Sequence, residues 1–232
     1  MSTHKPRIEP RPDVCAIIPC YNEARSIARI VRSVKVHAGE VFVIDDCSTD
    51  GTAEQARSAG ATVITHSRNM GKGVALKTGF AAAAAGNFKA ALTLDGDGQH
   101  DSTEIPLFLD AYDLGGCDIV LGNRMNDTRT MPFIRRYTNR FTSWAISRMV
   151  GIPIRDTQCG FRLVALDFWR AVRLDSSRFD LESEILIKAA RGGARIREVQ
   201  IRTIYFGTDA SKIHPVLDTL RFFQLLWRCR NA

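Results

Sequence analysis

Ala90-Ala91-Leu92-Thr93-Leu94-Asp95-Gly96-Asp97-Gly98-Gln99-His100 changes character halfway along. Ala90–Asp95 is a short run of strand length. It passes into a turn loosened by Gly96 and Gly98, which presents carboxylates two residues apart at Asp95 and Asp97. Surface turns are rich in Asp and Gly, so the acidic pair alone says little. Its meaning depends on what flanks it.

Outward from this segment, strand and helix patterns alternate. Val14–Pro19 is a continuous apolar run, as in a strand buried on both faces. Ala24–His37 carries Ile27, Ile30, Val31 and Val34 at helical spacing. Val41–Asp45 and Thr62–Thr65 read as strands, with a helix over Thr52–Ala59 between them. An alanine-rich helix, Val74–Ala85, leads into the acidic segment, and Glu104–Leu114 (helix) and Asp118–Gly122 (strand) follow it. Repeated strand–helix–strand units predict an α/β fold with a mainly parallel central sheet flanked by helices. Ligands of such sheets bind beyond the carboxyl ends of the strands. Both acidic clusters, Asp45-Asp46 and Asp95-x-Asp97, fall at such ends. Later in the chain the patterns predict a helix over Met131–Val150, a strand over Gly160–Leu166, a helix over Leu181–Arg191, a strand over Arg195–Ile201 and an amphipathic helix over Pro215–Arg228.

The chain has 232 residues, enough to bury a core without disulfide or metal staples. Its six cysteines show neither zinc-ligand nor Cys-x-x-Cys spacing and read as idle thiols of a reducing compartment. No apolar run is long enough to span a bilayer, and the polar, Pro-rich start carries no secretory signal, so the expected location is cytoplasmic. The net charge of +7 is unevenly placed. Residues 1–116 hold 12 Lys and Arg against 14 Asp and Glu, whereas residues 117–232 hold 20 against 11, and 18 of those 20 are arginine. Arginine's planar fork suits phosphate, so the second half is expected to meet phosphates. These arginines are not interleaved with a nucleic-acid-binding motif, and carboxylates at a sheet rim serve no such binding, so nucleic acid is not the expected partner.

The chemistry of the acidic segment follows from its donors. Mg²⁺ and Mn²⁺ prefer oxygen ligands, and they accept few from protein when a diphosphate supplies others. Asp97 with Gln99 is therefore a candidate cation holder, with Asp95 on the nucleotide side. Asp46 can accept from a ribose or base, while Ser48, Thr49 and Asp50 are also natural helix caps. Tyr21 can stack on a base and Glu23 accept from it, although Pro19–Glu23 also reads as an ordinary strand-to-helix turn. Asn69-Met70-Gly71-Lys72-Gly73 lacks P-loop spacing; Lys72 either reaches a phosphate or sits in a plain loop.

Pro19-x-Tyr21-Asn22-Glu23, Asp45-Asp46-x-Ser48-x-Asp50-Gly51-Thr52, Asn69-x-Gly71-x-Gly73, Asp95-Gly96-Asp97-Gly98-Gln99-His100 and Gly122-Asn123-Arg124 together resemble, in order and spacing, the family 2 glycosyltransferases, and most closely their polyprenyl-phosphate (dolichol-phosphate mannosyltransferase-like) branch. The resemblance spans roughly residues 14–225. It implies a GT-A fold and inverting transfer of a hexose from a GDP- or UDP-linked sugar to a polyprenyl phosphate, with Mg²⁺ or Mn²⁺. It implies that Pro19, Tyr21, Glu23, Ile44 and Asp46 line the nucleotide, with Lys72, Leu94 and Gly96 also at the donor. Asp95, Asp97 and Gln99 would surround the metal and diphosphate, and Arg124 would bind phosphate. Arg135, Asn139 and Asp156 would serve the acceptor side and the transfer step. Ser211-Lys212 resembles the pair on the loop that closes over the donor, although Phe206 stands where the family often has arginine. The implied division is a flexible tail over 1–13, a catalytic domain over 14–212 and an amphipathic helix over 213–232.

A phosphate acceptor is already anionic and needs no general base, which fits an arginine-rich acceptor side. A soluble or polysaccharide hydroxyl acceptor is the alternative, and it would make an acid such as Glu184 or Asp156 essential. Phe133, Phe141 and Trp144 with Phe222, Phe223 and Trp227 give two aromatic stripes with cationic flanks. Such stripes either pack on the core or dock on an anionic membrane surface, which would place the protein peripherally on the cytoplasmic face.

Overall fold

The structure, a computed structural model, describes residues 9–126, 128, 131, 133–172, 181–202, 204, 222, 224–227 and 229. Seven strands form one sheet: β1 (Arg11–Cys20), β2 (Ala38–Asp45), β3 (Thr62–Thr65), β4 (Ala90–Thr93), β5 (Ile119–Asn123), β6 (Arg162–Ala165) and β7 (Ile196–Gln200). Their spatial order is β3-β2-β1-β4-β6-β5-β7. The helices are α1 (Ile27–Lys35), α2 (Thr52–Ser58), α3 (Lys72–Ala85), α4 (Ile105–Asp113), α5 (Phe133–Val150), α6 (Leu166–Ala171) and α7 (Leu181–Arg191).

The apolar run at β1 is buried on both faces because successive side chains point opposite ways. Val14, Ala16 and Ile18 meet Ile30 and Val34 of α1 and Phe108 of α4. Cys15 and Ile17 meet Leu76 and Phe80 of α3, in a core that also holds Ile185 of α7. Gly79 lets α3 press close, since a β-carbon there would stand 2.3 Å from Ile17 Cγ2.

Two features of the topology position the site. β2 and β4 lie on opposite sides of β1 and both run parallel to it. The crossing direction therefore reverses beside β1, which opens a crevice at the carboxyl ends of β1 and β4. The second feature lies within a sheet that is mainly parallel, as expected: β6 alone of the described strands runs antiparallel, to both β4 and β5. Because it runs backwards, its start lies at their carboxyl ends, Arg162 opposite Thr93 and Leu121. The segment before it, 156–161, is thereby delivered to the same rim.

β1 takes in residues 11–13, which the sequence reading assigns to a tail, because Arg11 pairs with Ala38 and binds both Asp13 and Asp113. Most of the expected C-terminal helix lies outside the described residues. Within it, Phe222, Leu225 and Cys229 pack against Ile146 of α5 and Ile187 of α7. Among the described residues no helix is long and apolar enough to cross a membrane.

Candidate active site

The turn after β4 is held from several sides. Gly96 sits against the end of β1, where a β-carbon would meet Cys20 Sγ at 2.5 Å, and its carbonyl accepts from Ser26 Oγ at 2.5 Å. Gly98 has φ of 79°, a conformation that favours glycine. The Gln99 N–H donates to Asp97 Oδ1 at 2.9 Å, and the Asp95 N–H to His100 Nδ1 at 3.2 Å. His100 is buried and stacks on Phe161, and burial pushes its pKa down. Thr93 Oγ1 donates to the Gly160 carbonyl at 2.8 Å, which seats the segment before β6 over the turn.

Lys72, the first residue of α3, places Nζ 2.6 Å from Asp95 Oδ1 and 3.3 Å from Glu182 Oε2. Burial opposes its charge, but Asp95 and then Glu182 outweigh burial and raise Lys72 above the ordinary lysine range. Burial likewise resists the charge on Asp95, and Lys72 overcomes it, holding Asp95 well below the usual carboxylate range. Asp97 is pushed up by burial and by the neighbouring charge of Asp95. The contact between Asp95 and Lys72 needs Gly160: a β-carbon there would lie 3.0 Å from Asp95 Oδ2 and 3.1 Å from Lys72 Nζ.

On the β1–β2 side the two acidic residues divide. Asp45 Oδ1 accepts from the Ser48 N–H at 3.2 Å. Asp46 accepts from His66 Nδ1 and the Met70 N–H on Oδ1, at 2.7 and 2.9 Å, and from the Gly71 N–H on Oδ2, at 2.7 Å. It thus anchors the loop that leads to Lys72. Asp50 accepts from the Thr52 and Ala24 N–H groups, and Thr52 Oγ1 in turn accepts from the Glu23 N–H. Asn22 and Ser48 complete the lacing: the Asn22 N–H donates to Ser48 Oγ, and the Thr49 N–H to Asn22 Oδ1. Capping accounts for Asp50, while Tyr21 stands exposed beside this laced pair of loops.

Arg124, directly after β5, grips Asp156 through Nε and Nη2 at 2.7 and 3.0 Å, and its own N–H adds a third bond at 3.1 Å. Asp156 is fully buried. Its carboxylate holds the Arg124 guanidinium, an arrangement suited to positioning that arginine. Ile44 and Leu94, expected at the donor, can meet it only through backbone atoms. They are strand-end residues whose side chains are fully buried in the two opposite cores, so only their backbone faces the rim. Pro19 is buried at the end of β1. Lys212 lies outside the described residues, as do Ser211 and Phe206.

Helix α5 closes the far side. Arg135 Nη1 approaches Gln99 Oε1 at 3.5 Å, and Asn139, one turn on, is buried. Further along the same face, Ser143 Oγ accepts from the Thr157 N–H at 3.0 Å and Ser147 Oγ from the Ile154 N–H at 2.9 Å. These serines satisfy the irregular backbone that leads into β6. The polar face of α5 thus points inward. Phe133, Tyr137 and Trp144 are 67%, 68% and 63% exposed. Of the stripe read in the sequence, Phe133 and Trp144 are turned to the outside, while Phe141 meets Phe222 edge-on. Trp227 is also exposed, whereas Phe222 is buried.

Glu182 is the site residue that sequence reading missed. The available signal was an acidic first turn on α7, where carboxylates suit a helix N-terminus. Glu184, two residues on, is buried and pairs with Lys188 at 2.8 Å. His66 was also missed; it follows an edge strand at the level of Asp45.

Asp95, Asp97 and the Gln99 amide are hard oxygen donors, and the mutual repulsion that raises Asp97 suits a dication between them. Among the described residues no group of three or more His, Cys, Asp and Glu side chains could hold a metal by itself. The protein offers a partial shell, which fits a cation shared with a diphosphate.

Known proteins agree with this architecture. The family described as Glycosyl transferase family 2 matches residues 15–169. Glycosyltransferase AglJ of Haloferax volcanii is 34% identical over 94% of this chain and 73% of its own length. The undecaprenyl-phosphate mannosyltransferase of Micrococcus luteus is 30% identical over 86% of this chain and 87% of its own. Among solved structures, glucosyl-3-phosphoglycerate synthase from Mycobacterium tuberculosis, in complex with Mn²⁺, uridine diphosphate and glucosyl-3-phosphoglycerate, superposes with a TM-score of 0.67 at 19% identity. That match covers 93% of this chain and 79% of the other. The fold is GT-A, and the chain belongs to glycosyl transferase family 2.

Proposed function

We propose that this transferase moves a hexose from a nucleotide-diphosphate sugar to a polyprenyl phosphate, with inversion, at the cytoplasmic face of a membrane. The observation that carries the proposal is the orientation of α5. One helix sets Arg135 beside Gln99 of the acidic turn and exposes Phe133, Tyr137 and Trp144 to the outside. A lipid-borne phosphate needs both: a cationic seat at the rim and an apolar surface next to it. The name of the Micrococcus relative agrees with such an acceptor.

The donor diphosphate lies along Asp95, Asp97 and Gln99, and the nucleotide extends toward Asp46, Glu23 and Tyr21. A bound Mg²⁺ or Mn²⁺ supplies positive charge that stabilises the leaving diphosphate. Arg124, fixed by Asp156, adds a preorganised cation on that side. Arg135 and Asn139 orient the acceptor phosphate. An acceptor oxygen forms its bond to the anomeric carbon as the bond to the diphosphate breaks, and the diphosphate departs with the electron pair. No proton moves, so no base is required. The engagement of Asp156 by Arg124 and of Glu184 by Lys188 supports this reading over a hydroxyl acceptor.

The test is transfer from radiolabelled GDP- and UDP-sugars, with Mn²⁺, into polyprenyl phosphate in anionic liposomes. The expected result is a lipid-extractable product that Asp97→Ala abolishes and Glu184→Gln spares. Product with hydroxyl acceptors alone, lost in Glu184→Gln, would overturn the acceptor assignment.

A further inference from the structure

We propose that Lys72 is a resident counter-ion that stands in for the divalent cation at Asp95 and moves to Glu182 when the cation arrives. This rests on the reading of Asp95 and Asp97 as the cation side of the donor site.

The geometry gives Lys72 two stations. Nζ lies 2.6 Å from Asp95 Oδ1 and 3.3 Å from Glu182 Oε2, so a small swing exchanges the nearer partner for the farther. Both stations are built. Gly160 leaves the room in which Nζ meets Asp95. Glu182 is fixed because its carbonyl accepts from Arg162 Nη1 at 2.6 Å, and Arg162 is itself buried. The base of the lysine is fixed as well, since Asp46 holds the N–H groups of Met70 and Gly71 immediately before it. Only the flexible stem of Lys72 needs to move.

Charge explains why a stand-in is needed. Lys72 bridges Asp95 and Glu182, Asp97 stands two residues on from Asp95 in the same turn, and His100 accepts a hydrogen bond on Nδ1 from the Asp95 N–H. Lys72 is shared by Asp95 and Glu182, and Asp97 repels Asp95, which leaves negative charge at a partly buried rim. A dication offsets it, provided that the lysine stays and pairs with Glu182. Without the lysine, Asp95 and Glu182 would face each other with no ammonium between them, an arrangement that like-charge repulsion disfavours. With it, the rim is ordered before the donor binds, and the cation must displace a competitor. Mn²⁺ alone should then bind weakly.

The experiment measures Mn²⁺ alone, without nucleotide, by the loss of its free-ion electron paramagnetic resonance signal on titration with the full chain. Lys72→Met is expected to bind Mn²⁺ more tightly than wild type by about fivefold or more, the lower end of usual site coupling. Glu182→Gln removes the second station, leaves the lysine on Asp95 and is expected to weaken Mn²⁺ binding. Asp97→Ala is expected to lose it. In thermal melts without metal, Lys72→Met is expected to melt below wild type and to recover with Mn²⁺. Equal or weaker Mn²⁺ binding in Lys72→Met, with binding still dependent on Asp97, overturns the stand-in and leaves the cation site standing. Mn²⁺ binding that ignores Asp97→Ala overturns the cation site and the stand-in with it.

Discussion

At the scale of single residues, the rim is organised by a few pairings of opposite charge. Arg124 and Asp156 are both buried, so removing one strands the other. Arg124→Met is expected to cost about 3–5 kcal/mol in urea unfolding, more than the loss of any exposed ion pair in the protein. Gly160→Ala pushes a β-carbon to 3.0 Å from Asp95 and is expected to weaken Mn²⁺-dependent donor binding, read by calorimetry, while the protein still folds. The thiols give an independent check. Burial pushes Cys15 and Cys159 up to about 12, so they stay protonated and unreactive at pH 8. Cys47 is the one partly exposed cysteine. A disulfide reagent at pH 8 is expected to modify one thiol quickly, and Cys47→Ser to remove that fast phase. The carboxylates of this site were legible in the sequence because each follows a buried strand. Glu182 was not, because its partner Lys72 starts a different helix far away in sequence, and no local pattern links the two.

Among the elements, legibility follows pattern strength. β3 and α7 occupy the expected residues, Thr62–Thr65 and Leu181–Arg191. The direction of β6 could not be read, since a four-residue strand looks the same in either direction. The six-residue helix α6 follows β6 without a break; the expected strand takes in its first residue, Leu166, and no helix is read over the rest. Periodicity identified the aromatic stripe of α5 but not which side faces in, because Ser143 and Ser147 bond the loop before β6 while Asn139 and Thr142 are buried beside them. The outward stripe yields a prediction of its own. The triple change Phe133→Ser, Tyr137→Ser and Trp144→Ser is expected to reduce sedimentation with anionic liposomes severalfold. The melting temperature should hardly change, since these side chains contribute little to the core. Unchanged sedimentation would remove α5 from the membrane contact.

Across the whole molecule, sequence and sheet divide the labour in the same way. The first half carries 12 basic and 14 acidic residues and supplies the acidic turn and the loops around Asp46. The second half, with 20 basic residues against 11 acidic ones, supplies Arg124, Arg135 and the exposed aromatic helix. The antiparallel β6 joins the halves by bringing Asp156–Gly160 to the rim where β4 ends. The central claim is that this rim binds a nucleotide-diphosphate sugar through a divalent cation held by Asp97. Calorimetric titration with UDP- and GDP-sugars, in Mn²⁺ and in EDTA, tests it most directly. The account predicts binding of one donor in Mn²⁺ that falls at least about tenfold in EDTA and in Asp97→Ala, a loss typical of an essential ligand contact. Equal donor affinity in EDTA, and in Asp97→Ala, would contradict it.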